Sequence, residues 1–201
     1  RRTIDYAHWT AADVQAFVAW AAPRTRGWMV CMCDDVLAPV YAAAMEAAGR
    51  YVFAPLVLYE PGSRVRMTGD GPACWVTWIV VSRPRSRAFQ GWGALPGGYM
   101  NTDSGFERGR SKHPGGKPLS VMHAIVRDYS RPGDVVCDPT AGLATTLVAA
   151  RALGRVALGA EQDPATHAKA VERLARPWQP MMTEAPAEGR QIDMLAPVET
   201  R

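Results

Sequence analysis

Hydrophobic positions along the chain fall into two kinds of run, continuous and helically spaced. Continuous apolar runs occur at residues 28–33, 74–82, 135–137 and 156–160. Each is short enough to be a strand buried on both faces of a sheet. Runs with helical spacing occur at residues 36–48, 119–129, 143–153 and 164–175. This alternation predicts an α/β fold, with a mostly parallel, doubly wound sheet and helices on both faces.

Local signals mark the first helix and one irregular strand. Thr10 and Asp13 have the spacing of a capping box, so a helix is expected to begin there and to end before Pro23. Residues 51–59 are typical of a further strand. Pro55 cannot donate to a strand ladder, which predicts an edge position or a bulge within that strand.

The composition changes along what we expect to be a single domain over residues 1–201. A chain of 201 residues is long enough for one ordinary domain with a sizeable core. Residues 83–116 are rich in Gly, Pro and Arg, and an irregular connection of that length is usually functional or disordered. Regular order returns over residues 117–175. Residues 176–201 are a proline-rich tail, with one more short strand expected at residues 191–195.

Charge, cysteine and histidine content narrow the classes of protein. The net charge of +4 and a pI near 9.0 favour a polyanionic partner. No apolar run is long enough to cross a bilayer and no signal peptide is visible, which predicts a cytoplasmic protein without a membrane partner. The four cysteines lie in apolar runs without a CxxC pair, so we expect buried, reduced thiols. The four histidines are scattered without ligand spacing, so no metal site is expected.

The stretch VVCDPTAGLATT, at residues 135–146, joins a predicted strand to a predicted helix. Asp138 stands at the carboxyl end of the strand, where ligands bind in doubly wound sheets. Gly142 allows a ligand to approach the backbone closely, and the first amides of the next helix favour an anion. The stretch lacks the GK[ST] of a P-loop and the GxGxxG of a dinucleotide turn. A purely structural turn is the alternative at this point.

Two further stretches favour a ligand site. The strand VALGAE, at residues 156–161, ends in Glu161, one strand–helix unit after Asp138. An acid in that position takes both hydroxyls of a ribose in dinucleotide folds. The alternative, a cap for the following helix, fits Asp163 better than Glu161. Lys117, in the stretch KHPGGKP, either is an ordinary solvated lysine or completes the charge around a bound carboxylate.

These three stretches, in this order, resemble the S-adenosylmethionine-dependent amino-group DNA methyltransferases, which modify adenine N6 or cytosine N4. More narrowly, they resemble the permuted beta-type group, in which the catalytic half precedes the cofactor half. DPTAGLATT at residues 138–146 is similar to the family's DPFxGSGTT loop, HPGGKP at residues 113–118 to its HPTxKP element, and GAEQDP at residues 159–164 to its GxExDP element. The resemblance implies a Rossmann-like methyltransferase fold, with S-adenosylmethionine as cofactor and DNA as partner.

The resemblance also implies a cofactor site centred on the cofactor-binding half, residues 117–175. Its members would be Asp138, Gly142, Thr145 and Thr146 around the methionine part, His113 and Lys117 near the carboxylate, Glu161 at the ribose and Gln162 near the adenine, together with Thr140 of the same loop. Three positions depart from the family pattern. Thr140 replaces Phe, Leu143 replaces Ser and Ala144 replaces Gly.

The expected reaction is transfer of a methyl group to an exocyclic amino group of a flipped base, with adenine N6 favoured, as in restriction-modification methylation. This chemistry needs no nucleophilic cysteine, and none of the four cysteines follows a proline. The family's catalytic tetrapeptide, DPPY or a near variant, is absent because the chain has no Pro-Pro pair. We expect that tetrapeptide just upstream of Arg1.

Residues 83–116 fall where this group carries its target-recognition segment. The DNA contacts expected there are Arg83, Arg85, Arg87, Arg108, Arg110 and Lys112, because such side chains grip phosphates and arginine also reads guanine edges. Trp92, Tyr99 and Phe106 have the chemistry to stack on an extruded base, but for each one singly we expect packing on the domain.

Three other functions are compatible with the sequence. One is a methyltransferase that acts on RNA or another substrate with the same cofactor half. A second is a catalytically incomplete DNA-binding partner subunit, which the altered cofactor loop and the missing tetrapeptide favour. A third is a nucleotide-binding α/β domain whose turn holds another ligand. The sequence leaves open whether the protein forms a homodimer.

Overall fold

The computed structural model describes residues 8–62, 69–89, 91–101 and 116–176. Its helices, in chain order, are α1 (Ala11–Ala21), α2 (Ala38–Ala47), α3 (Leu119–Tyr129), α4 (Thr145–Ala152) and α5 (Pro164–Ala175), with 3-10 turns at Ala22–Arg24 and Arg87–Phe89. Its strands are β1 (Met29–Cys33), β2 (Tyr51–Val52), β3 (Leu56–Tyr59), β4 (Val76–Arg83), β5 (Gly98–Met100), β6 (Val135–Asp138) and β7 (Val156–Gly159).

The strands form two sheets in the described part of the chain. The larger sheet has the order β1-β4-β3-β5, with β2 also beside β4, and the smaller sheet pairs β6 with β7. The β3–β5 and β6–β7 pairs are parallel. Strand β4 runs antiparallel to β1, β2 and β3. The predicted α/β class is confirmed, and the pairing shows that β4 is where the sheet departs from a parallel arrangement.

Helices cover both faces of the larger sheet, as predicted. On one face, α1 and α2 pack on β1 and β4 around the fully buried side chains of Val14, Met45 and Val80. On the other face, α3 packs on β3 and β4, with Ile79 and Ile125 in one core cluster. Val136 of β6, Ala157 of β7 and two alanines of α4 belong to the same cluster, so α3 connects the two sheets.

The direction of the strands defines two edges. Trp28, which precedes β1, packs edge-on against Tyr129 at the end of α3, with ring centroids 5.3 Å apart. Strand β6 begins shortly after Tyr129, and the Gly133 amide donates to the Gly154 carbonyl just before β7. We call the edge where β1, β6 and β7 begin the lower edge, and the edge where they end the upper edge. Strand β3 runs in the same direction as β1, because β4 is antiparallel to both, and β5 is parallel to β3. Strands β3 and β5 therefore also end at the upper edge.

Most predicted boundaries agree with the structure. Thr10 caps α1 in a reciprocal capping box with Asp13, as predicted. The single strand expected at residues 51–59 is wrong, because the chain breaks into β2 and β3 on either side of Ala54 and Pro55. Residues 83–116 are not one irregular loop, because β5 lies within them and pairs with β3. The strand expected at residues 191–195 lies outside the described residues.

The prediction of buried thiols is only partly confirmed, because Cys31 and Cys33 are partly buried. Burial raises the pKa of the Cys31 thiol to about 12 and that of Cys33 to about 11. Cys74 and Cys137 are exposed, which corrects the expectation that all four are buried. All four thiols are free.

Among the described helices, none has the length and apolar character needed to cross a membrane.

Candidate functional site

The stretch after β6 folds into a tight turn at the upper edge. Asp138 ends β6, and its Oδ1 accepts a hydrogen bond from the Thr140 amide at 3.1 Å. The Ala141 amide donates to the Ala160 carbonyl at 2.9 Å, and the Ala160 amide donates to the Asp138 carbonyl at 3.1 Å. The turn is therefore fixed against the end of the neighbouring strand β7, which brings the two predicted acidic positions to one edge.

Glu161 connects the end of β7 to this turn. The Gly142 amide donates to Glu161 Oε2 at 2.9 Å, and the Asp163 amide donates to Glu161 Oε1 at 3.0 Å. Each carboxylate oxygen keeps a further lone pair for another donor. The backbone at Gly142 has φ +53, and nothing lies within 4 Å of the point where a Cβ would stand. The turn thus presents open space beside a carboxylate already held in place.

Asp163, not Glu161, caps the following helix. The Thr166 amide donates to Asp163 Oδ2 at 2.7 Å, and Asp163 is the N-cap of α5. Hydrogen bonds from the Thr166 side chain and from its amide lower the pKa of the Asp163 carboxyl. The structure therefore confirms the sequence preference for Asp163 as the cap and leaves Glu161 without a capping role at α5.

Gly159, the last residue of β7, is needed for this packing. A Cβ at that position would stand 2.5 Å from Cδ1 of Leu147 and 3.2 Å from the Cβ of Ala141. The end of the flexible Leu147 side chain would have to move, and Ala141 would have to give by a few tenths of an ångström, so a side chain at residue 159 would disturb the packing between β7, α4 and the turn. The glycine of the GAEQDP stretch therefore has a packing role beneath the turn.

Ala144 holds an uncommon backbone conformation at the start of α4. Its φ of 61 and ψ of 32 lie in the left-handed region, and it is the one non-glycine residue with positive φ in the described part of the chain. Its side chain is fully buried. Since L-residues other than glycine pay a steric cost in this region, the replacement of the family's glycine by alanine stores strain in the turn.

Arg173 of α5 supports the strained residue from both sides. Its Nη1 donates to the Leu143 carbonyl at 2.9 Å and to Thr145 Oγ1 at 3.0 Å. Burial lowers the pKa of the Arg173 guanidinium. Thr145 is 8% exposed, and this hydrogen bond shows that its hydroxyl faces Arg173. The sequence prediction missed Arg173, and its only signal was helical spacing from Ala170, which is buried on the same face.

The remaining predicted cofactor residues are spread around the upper edge. Thr146 is partly buried in the first turn of α4, and Gln162 is exposed directly after Glu161. Lys117 is partly buried just before α3, which runs from the upper edge to the lower edge, so it lies at the same edge as the turn. His113 lies outside the described residues. Within the described ranges, no group of three or more His, Cys, Asp or Glu side chains is placed to hold a metal ion.

The structure describes two of the predicted DNA-contact side chains, Arg83 and Arg85, and both lie over the ring of Tyr51. Arg83 ends β4 at the lower edge, and Arg85 follows it there, at the opposite edge from the turn. The side chain of Arg87 and all of Arg108, Arg110 and Lys112 lie outside the described residues. Strand β5 returns the chain to the upper edge, where the Asn101 amide donates to the Tyr59 carbonyl at the end of β3. Asn101, the last described residue before the gap at residues 102–115, therefore lies at the edge that carries the turn.

The aromatic residues of that segment pack on the domain where they are described. Trp92 Nε1 donates to the Asp128 carbonyl at 2.9 Å, and the Tyr99 hydroxyl donates to Asp128 Oδ2 at 3.0 Å. Both anchor residues 91–101 to the end of α3, which confirms the packing interpretation for these two rings. Phe106 lies outside the described residues.

About half of the chain is similar in sequence to known proteins. A family model described as DNA methylase matches residues 75–172. The type II methyltransferase M.HinfI of Haemophilus influenzae is 40% identical over 57 residues, which cover 28% of this chain and 16% of that protein. The chain therefore spans about a sixth of the length of this relative.

Comparison of structures identifies the fold. The M1.HpyAVI–SAM complex superposes with a TM-score of 0.68 at 23% identity, over 81% of this chain and 82% of that chain. The PvuII DNA methyltransferase, described as cytosine-N4-specific, gives a TM-score of 0.64 at 15% identity, over 88% of this chain and 76% of that chain. The predicted methyltransferase fold is confirmed.

Proposed function

We propose that the chain, whose residues 75–172 match the DNA methylase family model, transfers a methyl group from S-adenosylmethionine to an exocyclic amino group of a flipped base in DNA, adenine N6 being favoured. The observation that carries this proposal is the hydrogen bond between the Gly142 amide and the Glu161 carboxylate. It joins the two motifs of the predicted cofactor site across two strands at the upper edge.

The residues of the turn fit S-adenosylmethionine chemically. The cofactor offers ribose hydroxyls, which suit the free lone pairs of Glu161, and a carboxylate, which suits helix amides and a lysine. Ala144 gives α4 no side-chain cap, so the amides of the first turn of α4 have no side-chain acceptor in the described structure. Open space beside Gly142 allows a ligand to reach the backbone there.

Each residue would then have one task. Glu161 would hold the ribose hydroxyls, and Gln162, which is exposed beside it, would lie along the adenine. Asp138, Thr140 and Thr146 would border the methionine part, with Lys117 and His113 near its carboxylate. Thr145 would support the turn from beneath, because its hydroxyl already accepts a hydrogen bond from Arg173. The bound cofactor supplies an electrophilic methyl group, and the protein orients that group toward the amino nitrogen.

The DNA side of the proposal centres on residues 102–115. Asn101, the last described residue before them, lies at the upper edge, which is also the edge of the cofactor turn, and the segment carries Arg108, Arg110 and Lys112. The catalytic tetrapeptide, expected upstream of Arg1, stays a prediction. It would hold the amino group of the flipped base through a polar side chain and stack an aromatic ring on the base.

A methyl-transfer assay tests the proposal. The full-length protein that carries this sequence is incubated with S-adenosylmethionine labelled in the methyl group and with duplex DNA, and the digested nucleosides are separated. We expect label in N6-methyladenine and none in matched duplex RNA. Label in RNA or protein alone would support the rival enzyme class instead.

One observation favours a second candidate function, a DNA-binding partner subunit without catalysis. Alanine at residue 144 puts a buried methyl group and backbone strain where the family has glycine. Duplex binding without cofactor binding and without methyl transfer would establish this candidate and contradict the enzyme.

A further inference from the structure

Three arginines stack on aromatic rings at the lower edge, opposite the cofactor turn. The Arg83 guanidinium carbon lies 4.8 Å from the ring centroid of Tyr51, and that of Arg85 lies 5.6 Å from the same ring. The Arg131 guanidinium carbon lies 3.8 Å from the ring centroid of Trp92. We call this group the lower-edge patch; its members are Arg83, Arg85, Arg131, Tyr51, Phe89 and Trp92.

The rings beneath these arginines are fixed by one another. Trp28 contacts Phe89 and Trp92 with ring centroids 5.5 Å and 5.6 Å apart. Phe89 and Trp92 stack on each other at 5.7 Å, and Trp92 is anchored by its hydrogen bond to the Asp128 carbonyl. A guanidinium stacked on a fixed ring loses less conformational freedom when it binds an anion than a free side chain does.

The positive charge of the patch has no ion-pair partner within the described ranges. Among the described residues, none of its three arginines forms an ion pair with a carboxylate. Two acids lie next to the patch: the Asp128 carboxylate accepts hydrogen bonds from Arg127 and Tyr99, and the Asp134 carboxylate accepts one from the Arg131 amide at 2.7 Å. In the described structure the patch therefore carries excess positive charge, because three arginines stand beside one carboxylate, Asp134, while Asp128 is paired with Arg127.

Most guanidinium donors of the patch stay available. Arg83 Nη1 donates to the Pro84 carbonyl, and Arg131 Nη2 donates to the Trp92 carbonyl. A guanidinium has five N–H groups in a planar fork, which matches two phosphate oxygens at once. Arg85 and Arg131 are exposed, so these forks face solvent.

We propose that the lower-edge patch is a second DNA-contact surface, which binds the phosphodiester backbone of a duplex. Because it lies at the opposite edge from the cofactor turn, it holds a different stretch of DNA from the one that presents the target base. The choice of DNA as the polyanion rests on the proposed function, but binding at the patch needs neither cofactor nor methyl transfer. Residues Arg83 and Arg85 thus contact DNA without taking part in target recognition.

Salt-dependent binding of a short labelled duplex, measured by fluorescence anisotropy without cofactor, tests this surface. The test variant is Arg85→Gln with Arg131→Gln. The matched control, Lys169→Gln with Arg176→Gln, removes two exposed charges from α5 and its end. We expect the test variant to lose about 10-fold in affinity and to flatten the slope of log K against log salt by about 2, with little change in the control.

Stoichiometry separates this proposal from the proposed function. In sedimentation with excess short duplex, the wild type should carry one more duplex per chain than the test variant, whether or not methyl transfer occurs. Equal slopes and equal stoichiometry for the test variant and the control would overturn the patch. Tighter binding of duplex RNA or of anionic lipid vesicles than of DNA at the patch would overturn the assignment of DNA.

Discussion

Arg173 donates a hydrogen bond from Nη1 to the hydroxyl of Thr145 at 3.0 Å. The same nitrogen bonds the carbonyl of Leu143, so one guanidinium spans Ala144, which lies between them in a left-handed conformation. Helix α5 thereby fixes the turn that α4 begins from. The geometry of the candidate cofactor site therefore depends on Arg173, a residue outside the three sequence motifs of that site.

Replacing Ala144 with Gly should stabilise the protein. Glycine adopts the left-handed region without steric cost, so we expect the free energy of unfolding to rise by about 1 kcal/mol. Urea denaturation of the two proteins measures the change. Gly154→Ala is the reverse control, because Gly154 has φ +74 with open space around it and should lose about the same amount. No gain from Ala144→Gly would show that the turn is not strained.

Replacing Arg173 with Met should loosen the turn, and Ala144→Gly should reduce the damage. The single variant leaves the Thr145 hydroxyl and the Leu143 carbonyl without their donor, at an expected cost of about 1–3 kcal/mol. With glycine at residue 144 the turn is less strained and needs less support from Arg173. We therefore expect the free energy of unfolding of the double variant to be at least about 0.5 kcal/mol higher than the sum of the two single changes predicts.

The control for this cycle is Arg151→Met. Arg151 also bonds a carbonyl, that of Leu174, but it is exposed and does not contact the turn. Its loss should add independently to Ala144→Gly. Strict additivity in the Arg173 cycle as well would mean that Arg173 and Ala144 are not coupled.

His123 should make stability depend on pH below neutrality. Burial, with Arg127 and Arg155 nearby, lowers the pKa of His123 from its ordinary value of 6.5. The unfolded chain therefore binds a proton more readily than the folded chain, and stability present above pH 6.5 is lost as the pH falls through the folded pKa. Urea midpoints between neutral and mildly acidic pH measure this loss. It should shrink in His123→Gln and persist in the matched control His167→Gln, whose side chain is exposed; equal losses in all three proteins would contradict the assignment.

The sequence pattern predicted the elements that build the candidate site, and the family resemblance placed its motifs. Asp138 and Glu161 stand at ends of adjacent strands because continuous apolar runs fix those strands and parallel pairing brings their ends to one edge. The pattern did not predict the orientation of Thr145, because its burial depends on Arg173, a contact across 28 residues. It also did not separate Arg83 from the residues near the turn, since the reversal of β4 and the short strand β5 depend on pairing with β3.

The central claim is that Glu161 and the turn beside it bind S-adenosylmethionine. Isothermal titration calorimetry of the cofactor into the wild type, Glu161→Gln and Asp163→Asn tests it most directly. Asp163→Asn removes the neighbouring carboxylate but keeps a residue that caps α5, so its affinity should stay close to that of the wild type. We predict one cofactor per wild-type chain and a loss of about 10-fold or more in Glu161→Gln, because a charged hydrogen bond to the ribose is weakened. Equal affinities for Glu161→Gln and the wild type, or no binding by the wild type at millimolar cofactor, would contradict the claim.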